Sequence, residues 1–498
     1  MLPFRLAPSF WLVRVALLRG LGLIYAVAFL ILVRQGPALI GEDGILPAAR
    51  FTAWVTRSLG SSGVAFWELP SVFWISASDA WLQAGAWLGL LGALAVLAGF
   101  ANAPLLVVLW ALYVSFTHVG QIFYGYGWDM LLCEAGFLAV FLGPGWRPRE
   151  LDPSSPPPLV VIVLFRWLVF RVMFGAGLIK LRGDPCWSDL TCLAYHYETQ
   201  PNPGPLSPLF HAAPLWFHKA GTLFNHLVEV LAPFGVFGPR RVRAVSGTLI
   251  VVFQIILISS GNLSFLNWLT LILALSCFDD GQLLRALPQR LRARLSARLE
   301  ELSAVELSRS RRYGSVALAI LVGVLSINPV WNLLSPRQAM NASFEPFGLV
   351  NTYGAFGSVS RERYELIIEG TDSPTAEGAK WREYELPCKP GRVDRRPCWV
   401  TPYHYRLDWQ LWFVPLSPNQ QAHWFTLLTA KLLLGDPRTL ALFSENPFPD
   451  RPPKLIRATF YRYRLAPLSA PTFWHREPAG TYMPPTSLQD LENDSARH

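Results

Sequence analysis

FRWLVFRVMFGAGLIKLRGDPCWSDLTCLAYHYETQPN, residues 165–202, begins as an apolar helix and ends as a loop dense in charge, aromatic rings and cysteine. Lys180 and Arg182 stand where the apolar run stops. Asp184, Cys186, Trp187, Asp189 and Cys192 follow, then His196-Tyr197-Glu198-Thr199-Gln200. About 20 apolar residues cross the hydrocarbon of a bilayer, so the stretch reads as a membrane-spanning helix that opens into an elaborate loop. Loops are where binding and catalytic groups concentrate.

Outward from this point the same signal repeats. The chain has 498 residues, is 52% apolar and only 15% charged, against roughly 25% charged in a soluble domain. Apolar runs at 13–35, 80–99, 103–119, 127–143, 159–180, 221–238, 243–261, 264–279 and 313–333 predict about nine spans. The first is followed by a GEDG turn without a convincing small-residue cleavage site, so it reads as a retained span. Positive residues favour the cytoplasmic side. Arg5 and Arg14, the turn with Arg240, Arg241 and Arg243, and the arginine-rich loop 280–312 all fall on one side under the nine-span count. That side is read as cytoplasmic, which places loop 181–220 and the tail 334–498 outside. The net charge of +9 is largely this basic face, and its arginines are not interleaved with a soluble binding fold, so nucleic acid is not an expected partner.

The organisation predicted is a helical multi-pass membrane domain (1–333) with outer segments 36–79 and 181–220, then a β-rich, sandwich-like domain (334–477) and a disordered tail (478–498). Residues 50–59, with Phe51, Trp54, Val55 and Leu59 at helical spacing, read as an interfacial helix. In the C-terminal part, 364–368, 405–412 and 456–461 read as strands, and 419–434 as a helix ended by Gly435. Cys186, Cys192, Cys388 and Cys398 fall on the outer side, where disulfides persist. Neighbour pairing, Cys186 with Cys192 and Cys388 with Cys398, is the simplest of three connectivities. No metal ligand set is expected.

GAGLIKLRGD, CWSDLTC, HYETQPNP and GNLSFLNW are long and unusual blocks. On them, from about Gly125 to Arg464, the chain is identified as resembling the lipase maturation factor family. The resemblance implies a membrane-resident factor that assists folding of secreted lipases in the ER, with lipases or other secreted proteins and membrane lipids as partners and no cofactor. It places weight on the outer loop and the C-terminal domain. Of 43 basic residues six are lysines and 37 arginines, an excess that points to a GC-rich bacterial source, where the outer side is the periplasm. GAGLIKL followed by Trp187 also resembles the lysine segment of vitamin K-dependent carboxylase-like membrane proteins, over about ten residues.

Two classes follow. The preferred one is a chaperone-like factor with no catalytic residues, for which Trp409, Trp412 and Trp424 are candidate client contacts unless buried. The alternative is an integral-membrane enzyme acting on a lipid or quinone-like substrate, with Lys180 as base beside His196 and His226. A desolvated lysine amine can serve as a base. The competing reading has Lys180 snorkelling to the interface. A filled bundle favours the chaperone, and a polar-lined pocket holding Lys180, His196 and His226 favours the enzyme. Charged groups inside spans mark function or internal pairing. These are Asp129 and Glu134 in the fourth, and Arg166 and Arg171 in the fifth, with Glu134 expected to pair with one of the arginines. Asn225, His226 and Glu229 open the sixth span, His226 and Glu229 close enough to share a partner. Asn262 and Asn267 flank the turn between the seventh and eighth spans, where Asn and Ser side chains can close the backbone. No P-loop, dinucleotide fingerprint, HExxH or G-x-S-x-G is present.

Overall fold

A computed structural model describes residues 9–303, 306–416 and 423–495. The N-terminal two thirds are helical. Among the described residues, five helices are long and apolar enough to cross a membrane: Trp11–Ile40, Asp79–Leu97, Leu159–Arg182, Arg240–Ser260 and Arg309–Leu334. The predicted runs 103–119, 127–143 and 264–279 form shorter apolar helices, Ala103–Val119, Gly127–Leu142 and Leu266–Ala274. The run 221–238 is an α-helix, Leu215–His226, that continues into a π-helical turn, Leu227–Leu231. Nine full-length spans are therefore not what the helix lengths give. Large apolar side chains on these helices face outward, Leu91, Val245 and Ile320 among them, as lipid-facing surfaces do. The chain is an integral membrane protein.

The 30-residue first helix is about 45 Å long at 1.5 Å per residue and gives the bundle two ends. At its start, Arg14 donates to Ser155 O (2.5 Å) and Arg19 to Glu150 (2.6 Å). Asp280 caps the same end by accepting from the backbone N–H of Trp11 and Leu12 (2.8 and 2.9 Å). At its finish, Gln35 donates to His404 O (2.9 Å). Arg5 lies outside the described residues. The segment 48–59 is a helix, Ala48–Leu59, with Val55 buried and Trp54 58% exposed.

The C-terminal domain departs from the expected sandwich. It holds one four-stranded antiparallel sheet, β1 (Arg363–Thr371), β2 (Arg382–Glu383), β3 (Leu455–Leu465) and β4 (Trp474–Thr486), in the order β2-β1-β3-β4. Leu366 pairs with Phe460 and Ile368 with Ala458. The helix His423–Leu433 buries Phe425, Leu428 and Leu432 in the same core as Leu366, Ile368 and Ile456. It stops at Gly435, whose φ of +66° suits glycine. Residues 419–422 of that predicted helix lie outside the described set.

Two further expectations are corrected. Residues 406–413 form a helix, not a strand. Their alternating pattern is misleading because the polar positions Arg406 and Asp408 are buried as fully as Leu407 and Trp409, so the two faces do not divide into core and solvent. The segment from Pro478 is not a disordered tail: it continues β4 to Thr486, then a helix, Leu488–Ser495. Proline is tolerated there because β4 is an edge strand.

Candidate functional site

The loop after Leu159–Arg182 is built as a joint. Asp184 caps a short turn by accepting from the Cys186 N–H (2.9 Å), and Cys186 is disulfide-bonded to Cys192 across that turn. Asp184 and the two sulfurs lie within 4.8 Å of one another, but the disulfide leaves no thiolate for a metal. Trp187 is buried and donates its indole N–H to Phe356 O (2.9 Å), while the Asp184 N–H donates to Gly357 O (2.8 Å). Gly183 packs against the Gly357 carbonyl with no room for a Cβ. Cys388 and Cys398 are also disulfide-bonded.

The HYETQP run supplies the other half of the joint. Arg363, at the start of β1, is fully buried and donates to the carbonyls of Glu198 (2.8 Å), Gln200 and Pro201 (2.9 Å). The Glu198 carboxylate accepts from the Leu465 N–H of β3 (2.7 Å), and the Trp412 indole donates to Thr199 O (3.1 Å). Gln200 donates to Ser260 O (2.8 Å) and Ser207 Oγ (3.1 Å). Tyr197 stacks on Phe210 with ring centroids 5.3 Å apart. Asn262 does not close its own turn as expected; its side chain bonds the Asn202 and Pro203 carbonyls and the C-terminal domain. Its Nδ2 donates to Cys398 O (2.9 Å) and its Oδ1 accepts from the Val400 N–H (3.0 Å). Arg182 bonds Gln338 (3.1 Å), and Asp189 is exposed.

The charged residues of the helices sort into separate clusters. Arg171 pairs with Glu134, as expected, and Tyr353 OH donates to the same carboxylate (2.8 Å). Arg166 instead donates to Ser276 O (2.8 Å). Asp129 finds a partner the sequence did not suggest: Arg406 of the C-terminal domain grips it with two hydrogen bonds of 2.6 and 2.8 Å, both residues fully buried. Arg406 also donates to Phe123 O (2.8 Å) and lies 3.8 Å over the Tyr124 ring. The acid and the base are 277 residues apart, and no local spacing signals such a pair.

Lys180 does not snorkel. It turns inward, is 5% exposed, and donates to both Glu229 oxygens (2.6 and 2.5 Å). Asn225 braces the same carboxylate (2.8 Å). His226 does not share this partner; its Nε2 contacts Trp187 O (3.0 Å). Asn267 donates to Gln254 (2.7 Å), whose own amide reaches the Met173 sulfur (3.5 Å).

Beneath the loop lies a cavity of about 430 Å³. Lys180, His196, Asn225, Glu229, Gln254 and Asn267 contribute polar groups to its lining, and Trp409, Trp412 and Phe413 line it from the C-terminal domain. The bundle is thus not filled at this end, and Lys180 and His196 share the cavity without His226. Burial, with the nearby Lys180 charge, pushes the His196 imidazole down to about 4, so it is neutral at pH 7. Trp409 and Trp424 are buried and Trp412 half-buried, so these three do not form an exposed aromatic surface.

Comparison with known proteins decides the family. The lipase maturation factor transmembrane domain matches residues 12–285, and the lipase maturation factor C-terminal domain matches residues 349–484. The chain belongs to the lipase maturation factor family. It is 46% identical to lipase maturation factor 1 of mouse, over 97% of this chain and 88% of that protein, and 46% identical to the bovine protein, over 98% and 91%. It is 30% identical to lipase maturation factor 2 of rat, over 95% and 83%. No solved structure matches. The matched C-terminal domain begins just before the Phe356–Gly357 contact and ends within β4, so the joint connects the two family domains.

Proposed function

We propose that this chain is a membrane-resident maturation factor for secreted lipases, acting from the side of the membrane that holds loop 181–220 and the C-terminal domain. The similarity to lipase maturation factor 1 along nearly the whole chain carries the reading. Two neighbour disulfides at the C-terminal-domain end suit an oxidising compartment. That compartment is the ER lumen in a eukaryotic host, as in the vertebrates of the named relatives, and the periplasm in a bacterial one. Nine helical passes, some short, with the N-terminus cytoplasmic, are supported by the sorting of contacts. Segments 35–43, 123–129, 181–202 and 262–264 meet the C-terminal domain, while 143–156, 280 and 311 meet the start of the first helix or one another.

The joint residues Arg182, Asp184, Trp187, Glu198, Thr199, Gln200 and Asn262 then act by fixing the C-terminal domain on the membrane domain as a rigid platform for the client. Trp399, 58% exposed beside the Cys398 disulfide, is a fitting contact on that platform. The carboxylase-like alternative gains a cavity but needs a free base, and Lys180 is held by both oxygens of Glu229.

The test is rescue. The chain is expressed with a secreted lipase in cells lacking their own lipase maturation factor, and activity per mass of secreted lipase is measured. A rise over empty vector is expected. No rise, with the chain abundant in the correct membrane, overturns the proposal.

A further inference from the structure

The cavity has a chemistry of its own, separate from the joint that surrounds it. Its volume of about 430 Å³ lies within the roughly 300–1,000 Å³ of small-molecule sites. Its lining includes hydrocarbon and thioether from Met173, Phe253, Leu257 and Leu263. It also includes an ion pair, Lys180 with Glu229, closed on itself at 2.5 Å. Ionisable groups are rare within spans because burying them is costly, yet here they line an open space.

One polar group on the lining lacks a partner and stays open to the space. The His196 ring, 6% exposed, lines the cavity and makes no hydrogen bond among the described residues. A neutral imidazole offers one donor and one acceptor, so it can receive a bound molecule that both accepts and donates. Glu229 sits in the π-helical turn Leu227–Leu231, a local geometry frequent at functional sites. Gly177 lets that turn come close, because a Cβ there would stand 2.9 Å from the Glu229 carbonyl.

We propose that the cavity binds a neutral membrane amphiphile with a hydroxyl and ester head, of the monoacylglycerol type, its head hydrogen-bonded beside His196 and its chain along Met173, Phe253 and Leu257. Charge decides the class. Lys180 and Glu229 cancel, so an anionic head meets Glu229 and a cationic head meets Lys180, and neither has a free counter-charge. A hydroxyl can both donate and accept, which suits the imidazole.

Full-length protein purified in detergent is labelled with a monoacylglycerol carrying a photoreactive group in its tail, and labelled peptides are mapped. Saturable labelling at residues 172–176 and 253–257, displaced by unlabelled monoacylglycerol, is expected, and a fatty acid with the same tail should bind about tenfold more weakly, near the worth of one charge-sensitive contact. Ala176→Trp, which fills the space, should abolish saturable labelling with unchanged thermal unfolding. If that variant does not fold, His196→Phe keeps an aromatic ring and should weaken binding about fivefold by loss of one hydrogen bond. Unsaturable labelling spread over the lipid-facing helices, equal labelling by the fatty acid, or full labelling of both variants overturns the proposal.

Discussion

Two buried ion pairs stand at the same end of the bundle and do different work. Arg406–Asp129 is bidentate, takes a further hydrogen bond from Tyr113 (2.5 Å), and is sealed among Tyr124, Tyr126 and Phe123. Lys180–Glu229 joins neighbouring helical segments and opens onto a cavity. Burying an ion pair gives little net stability, but removing one partner leaves an uncompensated charge. What differs is whether water or a ligand can reach the charge left behind. The sealed pair is a fastener between two domains, whereas the open pair is part of a lining.

The comparison is broken most readily by deleting one partner from each. Arg406→Met strands Asp129 in a packed core and should cost about 3–5 kcal/mol, seen as loss of the folded protein from detergent extracts. Acid should act next most strongly, through His196. Its folded value is lowered from 6.5 to about 4, so the neutral ring stabilises the fold above pH 6.5 and that contribution is lost as pH falls toward 4, up to about 3 kcal/mol. His196→Gln should flatten thermal stability across that window. Glu229→Gln should cost less than Arg406→Met, about 1–2 kcal/mol, because the cavity lets Lys180 be hydrated. Equal losses in the two ion-pair variants would erase the distinction. Replacing Cys186 and Cys192 together by serine should have the smallest effect, about 1 kcal/mol, under the roughly 2 kcal/mol ceiling for so short a loop. A shift in urea midpoint measures it.

The membrane class was legible because hydrophobic length is a one-dimensional quantity, and the neighbour disulfides because short spacing favours them. That Glu134 pairs with an arginine of the next apolar run was legible because both runs are adjacent; that it is Arg171 and not Arg166 was not. Asp129 with Arg406 was not, since its halves are 277 residues apart and Arg406 sits in a pattern that imitates a strand. The helix 406–413 was missed for the same reason: alternation signals a strand only when polar positions face water, and here they face Asp129 and the backbone of Cys388 and Lys389. Lys180 was read as an interface anchor because its partner Glu229, 49 residues away, is brought close only by the packing of the π turn. In the HYETQP run the Glu198 carboxylate and the carbonyls of residues 198–201 hold the C-terminal domain. The His196 ring takes no part in this and faces the cavity.

The central claim is that loop 181–220 and the C-terminal sheet form one unit, fastened by Arg363. Hydrogen–deuterium exchange on the full-length Arg363→Met protein tests it most directly. The variant keeps side-chain bulk and removes the donors to Glu198, Gln200 and Pro201. The account predicts that amide protection falls together in residues 193–202 and in β1 and β3, with the helices Trp11–Ile40 and Leu159–Arg182 unchanged. Loss of protection in β1 and β3 alone, with 193–202 as protected as before, would contradict it.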